Sequence, residues 1–317
     1  MSTLICGFDI WPGGRATPAP DILPRPMADA TWRWLHFEVA GLNSWADEHL
    51  PPFAGATLCQ PETRPRCEAF PEGVAINLRD VNLNEGDQAE DMISLRIWAT
   101  EDLIVTARLR KVMTIDRIRH DCEAGIGPGS SGKFLDAIAK GLLDHAEQTA
   151  ANLEEATNAL EEASLSNDGT IGNADNIVRY RRAVIMLRRF AAPQRDALTK
   201  LAILEGSLLS KQVRLRIRES ANRATRLSET LDALRDRLAV LQDHADARAN
   251  QNMGRNSYLL SVVAAIFLPL GFATGLFGVN VAGMPGVNDP SAFWLLTAAM
   301  TGFGVALLAV FRWMRWF

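Results

Sequence analysis

The sequence lacks the patterns that would assign it to several common protein classes. Its four cysteines, Cys6, Cys59, Cys67 and Cys122, form no Cys-x-x-Cys pair, so we expect no disulfide framework. A net charge of −4 provides no basic surface for nucleic acid. No basic stretch followed by an apolar core begins the chain, which argues against a cleavable signal peptide. A phosphate-binding loop, a nucleophile motif and clustered catalytic carboxylates are also missing, so we expect neither an enzyme nor a resident cofactor.

Charge is absent from one long stretch near the C-terminus. No Lys, Arg, His, Asp or Glu occurs from residue 256 to residue 288. Two apolar runs, 258–277 and 293–311, flank a short loop at 278–292. Each run has roughly the 20 residues with which a helix crosses about 30 Å of hydrocarbon. The pattern predicts a hairpin of two transmembrane helices in a lipid bilayer.

Positive charge lies on one side of this hairpin. Arg248 and Arg255 precede the first run, whereas Arg312 and Arg315 follow the second. Short loops rich in Lys and Arg stay in the cytoplasm. We therefore expect both termini in the cytoplasm, including the tail at 312–317.

The N-terminal part reads as an α+β cytoplasmic domain at 32–132. Residues 1–31 are rich in proline and glycine and predict a weakly ordered arm. Alternation of apolar and polar residues predicts a half-buried strand. This alternation occurs at 32–39, 74–78, 93–99 and 103–109. A short helical segment is predicted among these strands, at 42–50.

An antiparallel helix pair is predicted at 133–195. Its first helix, 134–163, has an acidic outer face, and its second, 177–190, is basic. Two interpretations are open: the opposite charges face each other, or both faces are solvated. Exposed ion pairs contribute less than about 1 kcal/mol each, so charge alone does not decide between them.

A stalk helix is predicted at 196–257, continuing into the first apolar run. Gly206 and Gly254 weaken this helix but need not end it. Leucines at alternating spacings of four and three predict a seam that packs against copies of the chain. The seam consists of Leu227, Leu231, Leu234, Leu238 and Leu241.

The predicted hairpin offers few ligands for a bare metal ion. It contains no Asp, Glu, His or Cys within its two runs, the side chains that bind ions inside membranes or ligate zinc. A crossing cation should therefore keep much of its water and be guided by carbonyl, Asn and Thr oxygens. Gly271, Gly275 and Gly278 form a small-residue face. Pro269 should bend the first helix, although such prolines are often without functional meaning.

The order of these segments, with Gly278-Val279-Asn280 at the outer end of the first run, resembles the CorA superfamily of metal ion transporters. The magnesium branch of that superfamily carries Gly-Met-Asn and an acidic loop. Here Val279 replaces the methionine and Asp289 is the one acidic residue of the loop, a pattern similar to the ZntB zinc-transporter branch. Further stretches agree, at 110–112, 125–128, 187–196 and 267–269.

The resemblance implies a homopentamer in the bacterial inner membrane that transports divalent cations, zinc first. Direction and proton coupling are left open. It implies a pore lined by the first membrane helix, with Asn280 at the external mouth. Asp289, the one carboxylate left in the loop, is expected to attract cations there. The implied pore residues are Leu268, Pro269, Gly271, Gly275, Gly278, Val279 and Asn280. The alternatives are a magnesium or cobalt channel of the same superfamily and a membrane-anchored metal sensor.

Two further metal-site hypotheses concern residues outside the membrane. Asp243 and Asp246 lie on the stalk near the face that would point at the pore axis, or belong to a solvated face. His120 and Cys122, close in sequence to Asp116 and Asp121, would form a cytoplasmic zinc sensor, or have ordinary packing and surface roles.

Overall fold

The computed structural model describes residues 4–61, 64–165, 173–279, 286 and 289–313. The chain divides into two units, Met1–Gln242 and Asp243–Phe317. In chain order the elements are β1 (Leu4–Ile10), β2 (Ala16–Pro18), β3 (Trp32–Glu38), α1 (Asn43–His49), α2 (Pro52–Cys59), β4 (Arg66–Phe70), β5 (Gly73–Asp80), β6 (Ile93–Ala99), β7 (Leu103–Arg108), α3 (Met113–Glu123), α4 (Ser131–Leu165), α5 (Asn173–Ala202), α6 (Lys211–Gly278) and α7 (Ala292–Trp313).

Seven strands of the described chain form one mixed sheet, in the order β2-β1-β3-β7-β6-β5-β4. Only β3 and β7 pair in parallel. Phe37 and Trp98 face the core beneath α1 and α2, whereas Trp34 packs on Phe134 of α4, with ring centroids 4.9 Å apart. Cover on both faces explains why every residue of β6 is buried. The predicted α+β class, the positions of its strands and the short helix are confirmed. The expected half-burial of β3, β6 and β7 is wrong, because both faces of the sheet are covered.

The prediction of a weakly ordered arm at 1–31 is wrong, because this range contains strands of the sheet. The residues of β1 pair with β3, and Phe8 and Ile10 are buried in the core. Asp9 is also buried and accepts a hydrogen bond from Arg33 Nε at 2.8 Å. Proline and glycine dominate the turns that follow β1, and this local composition hides a strand whose stability comes from distant pairing.

The stalk helix predicted at 196–257 begins later than expected. Helix α5 continues through Pro193 to Ala202, and α6 starts only at Lys211. Gln194, next to the proline, is held to β5 because its side chain makes hydrogen bonds of 2.8 and 3.0 Å with the backbone of Arg79. Gly206 has a φ of 113°, which no helical residue adopts, so the chain turns there. Gly254, in contrast, lies within α6, as predicted.

The leucine seam of α6 is buried inside a single chain. Leu231, Leu234 and Leu238 are almost fully buried. Leu231 lines one apolar cavity together with Leu143 of α4 and Leu187 of α5. The expectation that this seam packs against copies of the chain is therefore wrong, because α4 and α5 already cover it.

The charged faces of α4 and α5 both pair with α6. Arg223 of α6 lies 2.7 Å from Asp144 and 2.7 Å from Glu147, both on α4. On the other side, Arg188 of α5 pairs with Asp232 of α6. These pairs match neither of the two interpretations left open by the sequence, because the third long helix accepts ion pairs from both charged faces.

Candidate cation pathway

Two helices of the described chain, α6 and α7, are long and apolar enough to cross a membrane. Their apolar windows, in Lys211–Phe277 and Ala292–Trp313, have mean hydropathies of 2.2 and 2.0. Almost none of either window is buried within the chain. The two helices meet at Gly304, where an added Cβ would lie 3.9 Å from Leu270 Cδ1. Their apolar surface must therefore be covered by lipid or by other chains.

A face of small residues follows the C-terminal half of the apolar segment of α6. Nothing in the described chain lies within 4 Å of a Cβ built on Gly271, Gly275 or Gly278. Leu268, one turn before Gly271, is exposed. Since residues three and four apart share one side of a helix, these four positions form one open stripe. A second helix or a hydrated ion can approach the backbone along it.

The proline and a threonine alter the backbone hydrogen bonding of the same segment. Pro269 lies inside α6 and has no N–H to donate one turn back. The Thr274 hydroxyl donates to the carbonyls of Leu270 and Gly271, at 3.1 and 3.0 Å. Sequence reasoning had not singled out Thr274, whose side chain competes for carbonyl oxygens beside the small-residue face.

The loop between α6 and α7 is described only in part. Gly278 ends α6 and Val279 is exposed, whereas Asn280 lies outside the described residues. Asp289 is exposed, and its Oδ1 accepts hydrogen bonds from the backbone N and the hydroxyl of Ser291, at 2.8 and 2.7 Å. These bonds lower the pKa of the Asp289 carboxyl. Asp289 is therefore charged at neutral pH and is held in a turn before α7.

The hypothetical metal sites outside the membrane do not converge. Asp243 and Asp246 are exposed on α6. The His120 side chain is 66% exposed and pairs with Glu123. Cys122 is buried, and burial raises the pKa of its thiol to about 12. Among the residues that the structure describes, no three His, Cys, Asp or Glu side chains form a group that could hold a metal ion.

Comparison with known proteins gives one family. The model of the family described as CorA-like Mg²⁺ transporter protein matches residues 29–313. The divalent cation transporter CmaX of Pseudomonas aeruginosa is 33% identical over 309 residues, which cover 96% of this chain and 93% of the relative. The zinc transport protein ZntB of Pectobacterium atrosepticum is 35% identical over 265 residues, covering 82% and 80%.

Solved structures agree with this family. The full-length CmaX protein matches with a TM-score of 0.82 and 32% identity, covering 99% of this chain and 98% of that structure. The CorA magnesium transporter of Methanocaldococcus jannaschii matches with a TM-score of 0.75 over 97% of this chain and 98% of that structure. Its identity is 19%, so this second likeness shows the fold alone.

Proposed function

The chain belongs to the CorA-like Mg²⁺ transporter family, and from this we propose that it carries divalent cations, zinc first, across the bacterial inner membrane. The family predicted from Gly278-Val279-Asn280 and its surroundings is confirmed. One observation carries the proposal: an uncharged stretch from 256 to 288 contains the first of two exposed apolar helices and the motif that follows it. Such a stretch suits a membrane pore that handles hydrated ions.

The proposed transporter is a homopentamer. Two helices do not enclose a water-filled path, so the pore requires several copies of α6. The open stripe from Leu268 to Gly278 supports this arrangement, because it lets neighbouring helices come close to a shared axis. The leucine seam gives no support, since α4 and α5 cover it. The pentamer therefore rests on the membrane segments.

Zinc is proposed as the main cargo because of both the relatives and the loop. The ZntB relatives are named for zinc transport, whereas CmaX is named for divalent cations generally. Within the loop, Val279 replaces the methionine of the magnesium motif, and Asp289 is the single carboxylate. Both features separate this loop from that of the magnesium branch. Asp289 is assigned to attracting cations, and the preference for zinc over magnesium is assigned to how readily the ion exchanges or sheds water along the pore.

Inside the proposed pore the ion keeps part of its hydration shell. The membrane runs provide backbone carbonyl and hydroxyl oxygens but no carboxylate or imidazole, and Asn280 in the loop adds a side-chain amide oxygen. Carbonyl dipoles can hold or replace water around an ion. Both termini are proposed to be cytoplasmic, on the positive-inside argument from Arg248, Arg255 and Arg312.

Uptake of zinc by proteoliposomes tests the proposal. The purified chain should admit Zn²⁺ to an internal zinc-sensitive dye, and an excess of Mg²⁺ should compete weakly. A complete absence of flux for every divalent cation would favour a membrane-anchored sensor. Flux of Mg²⁺ or Co²⁺ that exceeds that of Zn²⁺ would favour the magnesium or cobalt channel.

A further inference from the structure

One buried carboxylate connects three elements of the first unit. Asp80, at the end of β5, is fully buried. Its Oδ1 lies 3.0 Å from His145 Nδ1 on α4 and accepts a hydrogen bond of 2.9 Å from the backbone N of Val81. Its Oδ2 accepts a hydrogen bond of 3.1 Å from the Thr114 hydroxyl on α3. We call Asp80, Thr114 and His145 the three-residue clamp.

The clamp lies where α3 and α4 come very close together. A Cβ added to Gly141, one turn before His145, would lie 2.5 Å from Thr114 Cγ2. Only glycine fits at this distance, because real Cβ atoms do not approach other heavy atoms so closely. A change in the contact between His145 and Asp80 therefore acts on a tightly packed helix crossing.

His145 can exchange its proton with solvent. Its side chain is 25% exposed, whereas Asp80 is enclosed. The hydrogen bond to Asp80 is the main cause that raises the pKa of His145, against the opposing effect of burial. Arg117 of α3 lowers this pKa and Asp144 of α4 raises it. These are the charged groups of β5, α3 and α4 that act on the imidazole.

The same turn of α4 also forms ion pairs with α6. Asp144 precedes His145, Glu147 follows two positions later, and both carboxylates pair with Arg223 of α6. One short segment of α4 thus contacts the sheet through His145 and contacts α6 through its neighbours.

We propose that the three-residue clamp is a pH-responsive device that holds α4 against β5 and α3 when His145 is protonated and relaxes when His145 loses its proton. With imidazolium present, the enclosed carboxylate has a charged partner; without it, a buried charge has only neutral donors, which is less favourable. A role in regulating transport rests on the proposed function, because it requires that α6 form the pore.

The direction of the pH effect follows from the raised pKa of His145. The contribution to stability is complete below the ordinary histidine pKa of about 6.5. It is lost as the pH rises through the higher pKa of the folded protein. The clamp is therefore closed in an acidified cytoplasm and loosened in an alkaline one.

Hydrogen exchange of the full-length protein in detergent tests the clamp. Amide protection in α3 and α4 is measured from about pH 5.5 to about pH 8.5, on both sides of the ordinary histidine pKa, and is corrected for the intrinsic exchange rate. Protection in the wild type should fall with rising pH, by up to about tenfold for each unit by which pairing raises the pKa. His145→Gln, which removes the titrating imidazole and keeps a polar side chain, should abolish this pH dependence, as should Asp80→Asn.

His120→Gln is the matched control, because it removes an exposed histidine of the same region and should leave the pH dependence intact. A wild type without pH dependence, or an unchanged dependence in His145→Gln, would overturn the proposal. The measurement requires no transport. A clamp that responds to pH in a protein without zinc flux would refute the proposed function alone.

Discussion

Leu238→Ala should destabilise the folded first unit without reducing the size of the oligomer. Leu238 is fully buried in a single chain, on the face of α6 that α4 and α5 cover. Removing such a side chain costs about 2–5 kcal/mol, through lost burial and the cavity left behind. The cost falls on the fold of each subunit, because the leucine is buried before any second copy is added.

Urea unfolding of the full-length protein in detergent, followed by tryptophan fluorescence, measures this cost. Trp32, Trp34 and Trp98 are buried in the sheet domain and report its unfolding. Val240→Ala is the matched control, since Val240 is 55% exposed on the same helix and its loss should change the free energy of unfolding by less than about 0.5 kcal/mol. Normal stability of Leu238→Ala combined with a smaller complex would show that the leucines pack between subunits, and would refute our reading of the seam.

Two further predictions concern assembly and the outer mouth. Native mass spectrometry of the detergent-solubilised protein should show a pentamer, and a monomer or dimer as the sole species would contradict the pore. Asp289→Asn should slow zinc uptake mainly at low salt, because charge attracts cations over about 30 Å at 0.01 M salt but only about 8 Å at 0.15 M. Asn keeps the oxygen that accepts from Ser291, and Asp289→Glu, which keeps the charge, is the control. A changed preference between zinc and magnesium in Asp289→Asn would show that Asp289 selects the ion.

Much of the fold was predictable because alternation and long apolar runs mark where strands and membrane helices lie. The alternation located β3, β6 and β7, but it did not show that both faces of these strands are buried. The strand β1 was missed because neighbouring prolines and glycines dominate its local composition. The break at Gly206 was missed because a glycine inside a helical pattern does not by itself announce a positive φ.

The site was less predictable, because its geometry depends on distant residues. Closeness in sequence suggested a zinc site at His120 and Cys122. Side chains two positions apart on a helix, however, point in different directions. The clamp, in contrast, joins Asp80 to a histidine 65 residues away and to a threonine 34 residues away. No local pattern marks such a contact, since it arises only when α3 and α4 pack on the sheet.

Zinc uptake by proteoliposomes containing the wild type, Asn280→Ala or Asn288→Ala tests the central claim most directly. We predict that Asn280→Ala lowers the uptake rate by about tenfold or more, since contacts between polar and charged groups contribute about 1.5–3 kcal/mol and each subunit loses one. Asn288→Ala removes an amide from the same loop outside the Gly-x-Asn motif and should transport zinc at the wild-type rate. Wild-type uptake by Asn280→Ala, in a complex of unchanged mass, would contradict a cation path whose mouth is formed by Asn280.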